Sequence, residues 1–132
     1  MVTTELEGYP DGELRVLIVD DDRRVRQSLA GLIALRDHLA VVGTAGTPER
    51  ALELAASERP DAILLDLRLP EAEDGIRLLA DLLLRRPGVR IVAMSVAPEL
   101  RDLALRAGAD AFVTKSSQSE AIGDALAGLL DH

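Results

Sequence analysis

The chain has 132 residues and a formal net charge of −8, with 48% apolar and 29% charged side chains. This length and composition fit one globular domain with a substantial apolar core. Because the negative charge repels phosphate backbones, and because one Phe, one Tyr and no Trp leave little to stack on bases, we expect no direct nucleic-acid binding. The chain has no cysteine, no charged-then-apolar leader and no apolar stretch of membrane-spanning length, so we expect a cytoplasmic protein with no membrane contact.

A short lead-in and ten alternating segments organise the chain. Residues 1–12 contain Pro10 and Gly12 and show no hydrophobic period, which predicts a flexible lead-in before a domain over residues 13–132. Beyond it, short apolar runs alternate with longer stretches of helical period, which predicts five βα units. The predicted strands are Leu14–Val19, Ala40–Thr44, Asp61–Leu65, Val89–Met94 and Ala111–Thr114. The predicted helices are Arg23–Arg36, Pro48–Ser57, Gly75–Arg86, Pro98–Ala107 and Gln118–Leu130.

Residues that typically begin and end helices support these boundaries. Thr47 followed by Pro48 predicts an N-cap with proline at the first helical position. Ser117 with Glu120 matches a capping box, and Gly108 stands where a helix would end in a left-handed residue.

The strands themselves indicate the fold class. Runs such as "AILL" and "RIVAM" are nearly continuous in apolar residues, which is typical of strands buried on both faces. Alternation with helices implies right-handed crossovers to parallel neighbours. The sequence therefore predicts an α/β fold, a doubly wound five-stranded parallel sheet, in which ligands bind beyond the carboxyl ends of the strands.

Polar residues follow four of these strands, and the parallel arrangement gathers them at one edge. They are Asp20, Asp21 and Asp22 after the first strand, Asp66 at the third, Ser95 after the fourth and Lys115 after the fifth. Crowded carboxylates repel one another unless a cation intervenes. Oxygen ligands without nearby His or Cys favour a hard divalent ion, and Mg²⁺ suits this set.

A lysine and a metal ion beside one aspartate are also what phosphoryl transfer to a carboxylate requires. Asp66 is the predicted nucleophile because it ends a central strand. Lys115 would pair with one phosphoryl oxygen, and Ser95 would donate a hydrogen bond to another.

From Leu14 to Leu130 the sequence resembles the receiver domains of bacterial two-component response regulators. The matching motifs are "VLIVDDD", "LLDLRLP", "DG" at residues 74–75, "IVAMS" and "AGADAFVTK". The resemblance implies a flavodoxin-like sheet of order 2-1-3-4-5. It also implies Mg²⁺ held by Asp20, Asp21, Asp66 and the backbone carbonyl of Arg68, and transfer of phosphate from a partner histidine kinase to Asp66. Ser95 and Phe112 would form the switch pair, with the hydroxyl turning to the phosphoryl group as the ring rotates inward.

Three features differ from the common pattern of that family. "LPEAEDG" is about one residue longer than the usual loop, and the segment from Ser95 to Gly108 is about two residues shorter. Ser116 follows Lys115 where the family usually has a cis proline, and both isomers stay open for this bond.

The resulting hypothesis is a phosphoacceptor switch that catalyses only its own phosphorylation and dephosphorylation. It would act on an output, and could dimerise, through the face made by the fourth helix, fifth strand and fifth helix. One alternative is a degenerate receiver that acts as an interaction module without phosphorylation. A Mg²⁺-dependent phosphohydrolase is disfavoured because Arg68 stands where such enzymes need a second acid, and a nucleotide-binding module is disfavoured because the turn after the first strand is acidic. Both a stand-alone receiver and part of a longer regulator remain open.

Some charged residues have simpler interpretations. Asp22 is predicted to be the N-cap of the helix that begins at Arg23. His38 and His132 have no partner pattern and are taken as structural. The arginines at 23, 24 and 26 are interpreted as a solvated helix face, with kinase docking as a minority alternative.

Overall fold

The computed structural model describes residues 13–115 and 119–131. The predictions for residues 1–12, for a cap at Ser117, for the isomer of the Lys115–Ser116 bond and for His132 lie outside the described residues.

Five parallel strands form one sheet in the order β2-β1-β3-β4-β5, as predicted. Every residue of β3 is buried, and so are five of the six residues of β4, which explains why both sequences are almost entirely apolar. In the pairing of β1 with β2 the register shifts between Val16 and Leu17. The strands are β1 (Leu14–Val19), β2 (Leu39–Ala45), β3 (Ala62–Asp66), β4 (Arg90–Ser95) and β5 (Ala111–Thr114).

Five α-helices alternate with the strands. They are α1 (Arg23–Ala34), α2 (Pro48–Glu58), α3 (Ala72–Arg85), α4 (Arg101–Arg106) and α5 (Ser119–Gly128). Short 3-10 turns precede α4 at Pro98–Leu100 and follow α5 at Leu129–Asp131. None of the helices over the described ranges is long and apolar enough to cross a membrane.

The helices cover both faces of the sheet and create two apolar cores. Helices α1 and α5 pack on one face, where Leu29, Ile33 and Leu126 belong to one apolar cluster with Ile18 and Leu64. Helices α2, α3 and α4 pack on the opposite face against the alternate residues of the same strands. The sheet is therefore buried on both sides, and only its edges and strand ends can carry polar chemistry.

Three helix-boundary predictions are confirmed by side-chain and backbone geometry. Oδ1 of Asp22 accepts a hydrogen bond of 2.9 Å from the N–H of Arg24, so Asp22 caps α1. Oγ1 of Thr47 accepts a hydrogen bond of 3.1 Å from the N–H of Arg50 and caps α2. Gly108 has a φ of 115°, in the left-handed region that favours glycine.

Four other helix predictions were wrong by two or more residues. Helix α5 ends at Gly128 rather than Leu130, because the chain continues as a 3-10 turn over Leu129–Asp131. Helix α3 begins at Ala72 rather than Gly75, because Oδ2 of Asp74 accepts a hydrogen bond of 3.2 Å from the N–H of Glu71 and stabilises an earlier first turn. Helix α1 ends at Ala34 rather than Arg36, because its final hydrogen bonds tighten to the 3-10 pattern. The helix predicted over Pro98–Ala107 is divided into a 3-10 turn and the six residues of α4.

Candidate functional site

Three charged side chains from different strand ends meet at the carboxyl edge of the sheet. Asp20 follows β1, Asp66 is the last residue of β3, and Lys115 follows β5. Nζ of Lys115 donates hydrogen bonds to Oδ2 of Asp20 at 2.8 Å and to Oδ2 of Asp66 at 3.4 Å. Asp20 is fully buried and Asp66 is 3% exposed. The structure thus places side by side the residues that the sequence assigned to one edge.

Main-chain hydrogen bonds continue the sheet into the loops that carry these residues. The N–H of Leu67, directly after Asp66, donates to the carbonyl of Met94 at 2.9 Å. The N–H of Lys115 donates to the carbonyl of Ser95 at 2.8 Å. The relative positions of Asp66 and Lys115 are therefore fixed by the pairing of β3, β4 and β5.

Asp21 adds a third carboxylate to this edge. One carboxylate oxygen from each of Asp20, Asp21 and Asp66 lies within 4.8 Å of the other two. Asp21 is exposed, whereas the other two are buried. Oδ1 of Asp20 also accepts a hydrogen bond of 2.9 Å from the N–H of Asp22, which closes a tight turn after β1.

The charge balance of the site changes two pKa values. Burial, and then the neighbouring charge of Asp20, raise the pKa of Asp66 to about 6, against the opposing effects of Lys115 and of the N–H of Arg68. Burial lowers the pKa of Lys115, but its hydrogen bond to Asp20 and the charges of Asp66 and Asp20 raise that pKa above its ordinary value. Three carboxylates beside one ammonium leave the site short of positive charge.

Ser95 and Phe112 lie on the same face of the sheet. Ser95 ends β4 and is 1% exposed, and its Oγ accepts a hydrogen bond of 3.1 Å from the N–H of Ala97. Phe112 pairs in register with Ala93 and is partly buried against the core beneath α2, α3 and α4. Alternation along β4 puts Ala93 and Ser95 on that side as well.

The loop after Asp66 packs tightly against the start of α3. Oδ1 of Asp66 accepts a hydrogen bond of 3.1 Å from the N–H of Arg68. A Cβ atom on Gly75 would lie 1.7 Å from the carbonyl oxygen of Leu67, so only glycine allows this contact. The loop also contains a cis peptide bond between Leu69 and Pro70. The "DG" pair of the sequence therefore lies in the first turn of α3, with Gly75 against the main chain of the Asp66 loop.

A comparison with models of protein families shows which family the chain belongs to. Residues 16–127 match the model of the response regulator receiver domain, which is most of the chain and includes every residue of the site. The chain belongs to the response regulator receiver family. Receivers take part in two-component signal transduction and interact with histidine kinases, and they are typically signalling switches rather than true enzymes.

Individual receivers and receiver-containing proteins support this assignment. The chain is 41% identical over 106 residues to a protein-glutamate methylesterase/protein-glutamine glutaminase of Rhodopseudomonas palustris, with 78% of this chain and 29% of that protein covered. It is 36% identical over 127 residues to the DNA-binding transcriptional activator DevR/DosR of Mycobacterium tuberculosis, with 90% and 58% covered. The chain thus spans less than two thirds of the length of these curated relatives.

Solved structures of response regulators are also similar to this chain in fold. A LuxR-family two-component response regulator from an Aurantimonas species has a TM-score of 0.83 and 30% sequence identity, over 90% of this chain and 86% of that one. The receiver domain of NarL from Mycobacterium tuberculosis has a TM-score of 0.80 and 30% identity, over 90% of this chain and 97% of that one.

The residues of this receiver fit a magnesium ion. Mg²⁺ prefers oxygen ligands and usually takes one or two protein carboxylates, keeping several waters. The group formed by Asp20, Asp21 and Asp66 supplies only carboxylate oxygens, two from buried side chains and one from an exposed side chain. The raised pKa of Asp66 indicates that the site would gain from additional positive charge.

Sequence reasoning left one contact of the receiver site unpredicted, that of Arg26, and one signal for the predicted residue Lys115 unused. Lys115 is the only lysine of the chain, since every other Lys or Arg position is arginine. A single lysine at a strand end, in a chain that otherwise uses arginine, indicates a site that requires a compact ammonium group. Arg26 is not part of a solvated helix face, because its Nη1 donates a hydrogen bond of 2.8 Å to the carbonyl oxygen of Asp20.

Proposed function

We propose that this receiver accepts a phosphoryl group on Asp66 from the phosphohistidine of a kinase, with Mg²⁺ as the required ion. One Asp66 carboxylate oxygen would form a bond to phosphorus while the nitrogen–phosphorus bond of the donor breaks. The observation that carries the proposal is the convergence of Asp20, Asp66 and Lys115, because it surrounds one carboxylate with the groups that this transfer needs.

Asp20, Asp21 and Asp66 would hold the metal ion, together with the backbone carbonyl of Arg68. When bound, Mg²⁺ neutralises charge on the phosphoryl oxygens. The support from this chain is the all-oxygen donor set and its excess of negative charge. For Arg68 the described contact is that of its N–H to Asp66, so the role of its carbonyl rests on the family resemblance.

Lys115 and Ser95 would bind the transferred group. Nζ of Lys115 is already within 3.4 Å of Asp66, and the ammonium can pair with a phosphoryl oxygen attached there. The Ser95 hydroxyl lies on the neighbouring strand and is buried, with an oxygen that accepts one hydrogen bond and a proton available to donate another. Both residues would therefore favour the phosphorylated form.

Phosphorylation would be transmitted through Ser95 and Phe112 to the face formed by α4, β5 and α5. Movement of the Ser95 hydroxyl toward Asp66 would leave space on the sheet face that Phe112 shares, and the half-buried ring could fill it. The short α4, preceded by a 3-10 turn, lies directly after this position. This face is also where we propose that the output, or a second copy of the chain, binds.

The kinase would approach along a groove between α1 and α5. The groove has a volume of about 400 Å³, reaches Lys115 and is lined mainly by apolar side chains such as Val25, Leu29, Leu32 and Ile122. A groove of this kind accommodates the apolar face of a partner helix. Because it opens beside the site, a docked kinase helix would present its phosphohistidine to Asp66.

The experiment that tests the proposal measures intact mass after incubation with Mg²⁺ and acetyl phosphate. We expect one added phosphoryl group in the wild type and none in Asp66→Asn or in a metal-free sample. Asp61→Asn is the matched control because Asp61 binds the N–H of Arg15 away from the site and should still allow labelling. No adduct on the wild type at any donor concentration, with hydrolysis of the donor also absent, would contradict the proposal.

A further inference from the structure

Arg26 links helix α1 to the main chain of the candidate metal site. Its Nη1 donates a hydrogen bond of 2.8 Å to the carbonyl oxygen of Asp20. That carbonyl belongs to the peptide group that joins Asp20 to Asp21. The N–H of Asp20 donates at 3.0 Å to the carbonyl of Ala45, at the end of β2. The main chain of Asp20 is therefore held from β2 on one side and from α1 on the other.

The path of the Arg26 side chain depends on Gly46. A Cβ atom on Gly46 would lie 2.7 Å from Nη1 and 3.2 Å from Cζ of Arg26. Contacts this short would force the guanidinium to move. Glycine at this position therefore leaves the space in which the Arg26 guanidinium reaches Asp20.

We propose that Arg26 is a positioning residue for the metal site, and that Gly46 keeps its path open. Arg26 would fix the peptide between Asp20 and Asp21, and so the directions in which both carboxylates point. A guanidinium suits this role because it forms charge-assisted hydrogen bonds in a rigid geometry. The inference rests on the proposed Mg²⁺-dependent function and adds to it a residue outside the ligand set.

The charge of Arg26 alone predicts the opposite effect on metal binding. Removing a cation from the neighbourhood of carboxylates strengthens the binding of another cation. Removing a group that orients metal ligands weakens binding, typically by 10- to 100-fold. The sign of the change in Mg²⁺ affinity therefore separates a positioning role from a purely electrostatic one.

The test is calorimetric titration of the whole chain with Mg²⁺. We expect Arg26→Ala to bind about 10-fold more weakly than the wild type, and Arg26→Lys, which restores a donor, to recover part of the affinity. Arg23→Ala removes an equal charge from an exposed position in the same helical turn and should not weaken binding. Circular dichroism without metal checks that each variant is folded.

Gly46→Ala provides an independent test that leaves Arg26 in place. We expect it to weaken Mg²⁺ binding in the wild type but to have no further effect in Arg26→Ala, because both changes act through one side chain. Gly88→Ala, where a Cβ would meet nothing within 4 Å, is its control. If Arg26→Ala did not fold, the comparison of these two glycine variants would decide the question.

The outcomes distinguish this inference from the proposed function. Unchanged or tighter Mg²⁺ binding by Arg26→Ala, with normal binding by the wild type, would overturn the positioning role alone. A wild type that binds no Mg²⁺ would overturn both.

Discussion

Nζ of Lys115 is 2.8 Å from Oδ2 of Asp20, a charge-assisted hydrogen bond to a fully buried carboxylate. The same nitrogen is 3.4 Å from Asp66, so the lysine serves two carboxylates and lies closer to the one that is not the predicted phosphoacceptor. Lys115 supplies positive charge that makes burial of both aspartates tolerable.

Replacement of Lys115 by Met should destabilise the protein at pH 7 by about 2 kcal/mol, because two buried carboxylates lose their charged partner. The loss should shrink near pH 5, where Asp66 becomes protonated, and Mg²⁺ should reduce it at pH 7. Urea unfolding at both pH values measures these effects. Arg77→Met, an exposed cation on α3, is the control and should change little; equal losses in both variants would contradict the interpretation.

The raised pKa of Asp66 predicts a specific dependence of stability on pH. The pKa is about 6 in the folded chain and 3.8 ordinarily, so between these values the folded state binds more protons than the unfolded state. The free energy of unfolding therefore falls as the pH rises through this window and stays lower at pH 7. Asp66→Asn should raise the free energy of unfolding at pH 7 by roughly 1–3 kcal/mol. This gain should disappear near pH 4.

Chemical unfolding in EDTA, at several pH values, measures this dependence. The exposed carboxylate of Asp21 makes Asp21→Asn the matched control, and its stabilising effect should be smaller. A stability gain for Asp66→Asn that is the same at pH 4 and pH 7 would show that desolvation of the charge is not its cause.

Gly75 is expected to tolerate no side chain. In Gly75→Ala the new methyl group would overlap the carbonyl of Leu67, so the start of α3 and the Asp66 loop would have to separate. We expect a loss of at least about 3 kcal/mol in the free energy of unfolding, and weaker phosphorylation of what remains folded. Gly31→Ala is the control, since a Cβ there meets nothing and alanine favours a helix by up to about 1 kcal/mol. A mild Gly75→Ala phenotype would mean that the contact is not tight in solution.

Much of this site could be predicted because the alternation of apolar strands with helices indicates a parallel sheet, and a parallel sheet determines which strand ends share an edge. Asp20, Asp66 and Lys115 follow from that reasoning alone. The start of α3 could not be predicted in the same way, because Glu71 is not a typical N-cap residue and the interaction of its N–H with Asp74 replaces the usual signal. The sequence pattern favoured the later start at Gly75.

Arg26 shows a different limit of sequence reasoning. Helical periodicity places it on the edge of a polar face and says nothing about where a long, flexible side chain ends. Its contact with Asp20 depends on the space left at Gly46, which belongs to another loop. Such a contact is determined by the tertiary structure, so only the folded arrangement reveals it.

Phe112 is the only phenylalanine of the chain, which makes the proposed switch directly observable. Fluorophenylalanine incorporated at this position should give a single ¹⁹F resonance, and that resonance should move when Asp66 is phosphorylated, because the ring enters a more buried environment. In Ser95→Ala the phosphorylated protein should show a smaller shift. A resonance that stays in place while mass analysis shows the phosphoryl group would contradict the switch role of Phe112.

The groove between α1 and α5 predicts a difference between two phosphodonors. Leu32, which lines the groove and is 40% exposed, should be needed for docking of a kinase but not for reaction with acetyl phosphate. Leu32→Glu should therefore slow transfer from a phosphorylated histidine kinase at least about tenfold, the effect of losing roughly 1.4 kcal/mol of binding, and leave labelling by acetyl phosphate unchanged. Leu84→Glu, at a more exposed leucine on α3, is the control; equal slowing by both would argue against docking in this groove.

Two main-chain hydrogen bonds, from Leu67 to Met94 and from Lys115 to Ser95, also affect how often the main chain beside the site opens to solvent. Amide protons held in the centre of a sheet exchange with solvent only when that part of the fold opens, and central strands open last. Because β3 and β4 are central strands, we expect the Leu67 amide beside Asp66 to be among the slowest to exchange, whereas the Lys115 amide follows the edge strand β5 and should exchange faster. Repeated addition and loss of a phosphoryl group would therefore leave the main chain at Asp66 folded, while side chains, the edge of the sheet and the short α4 supply the movement.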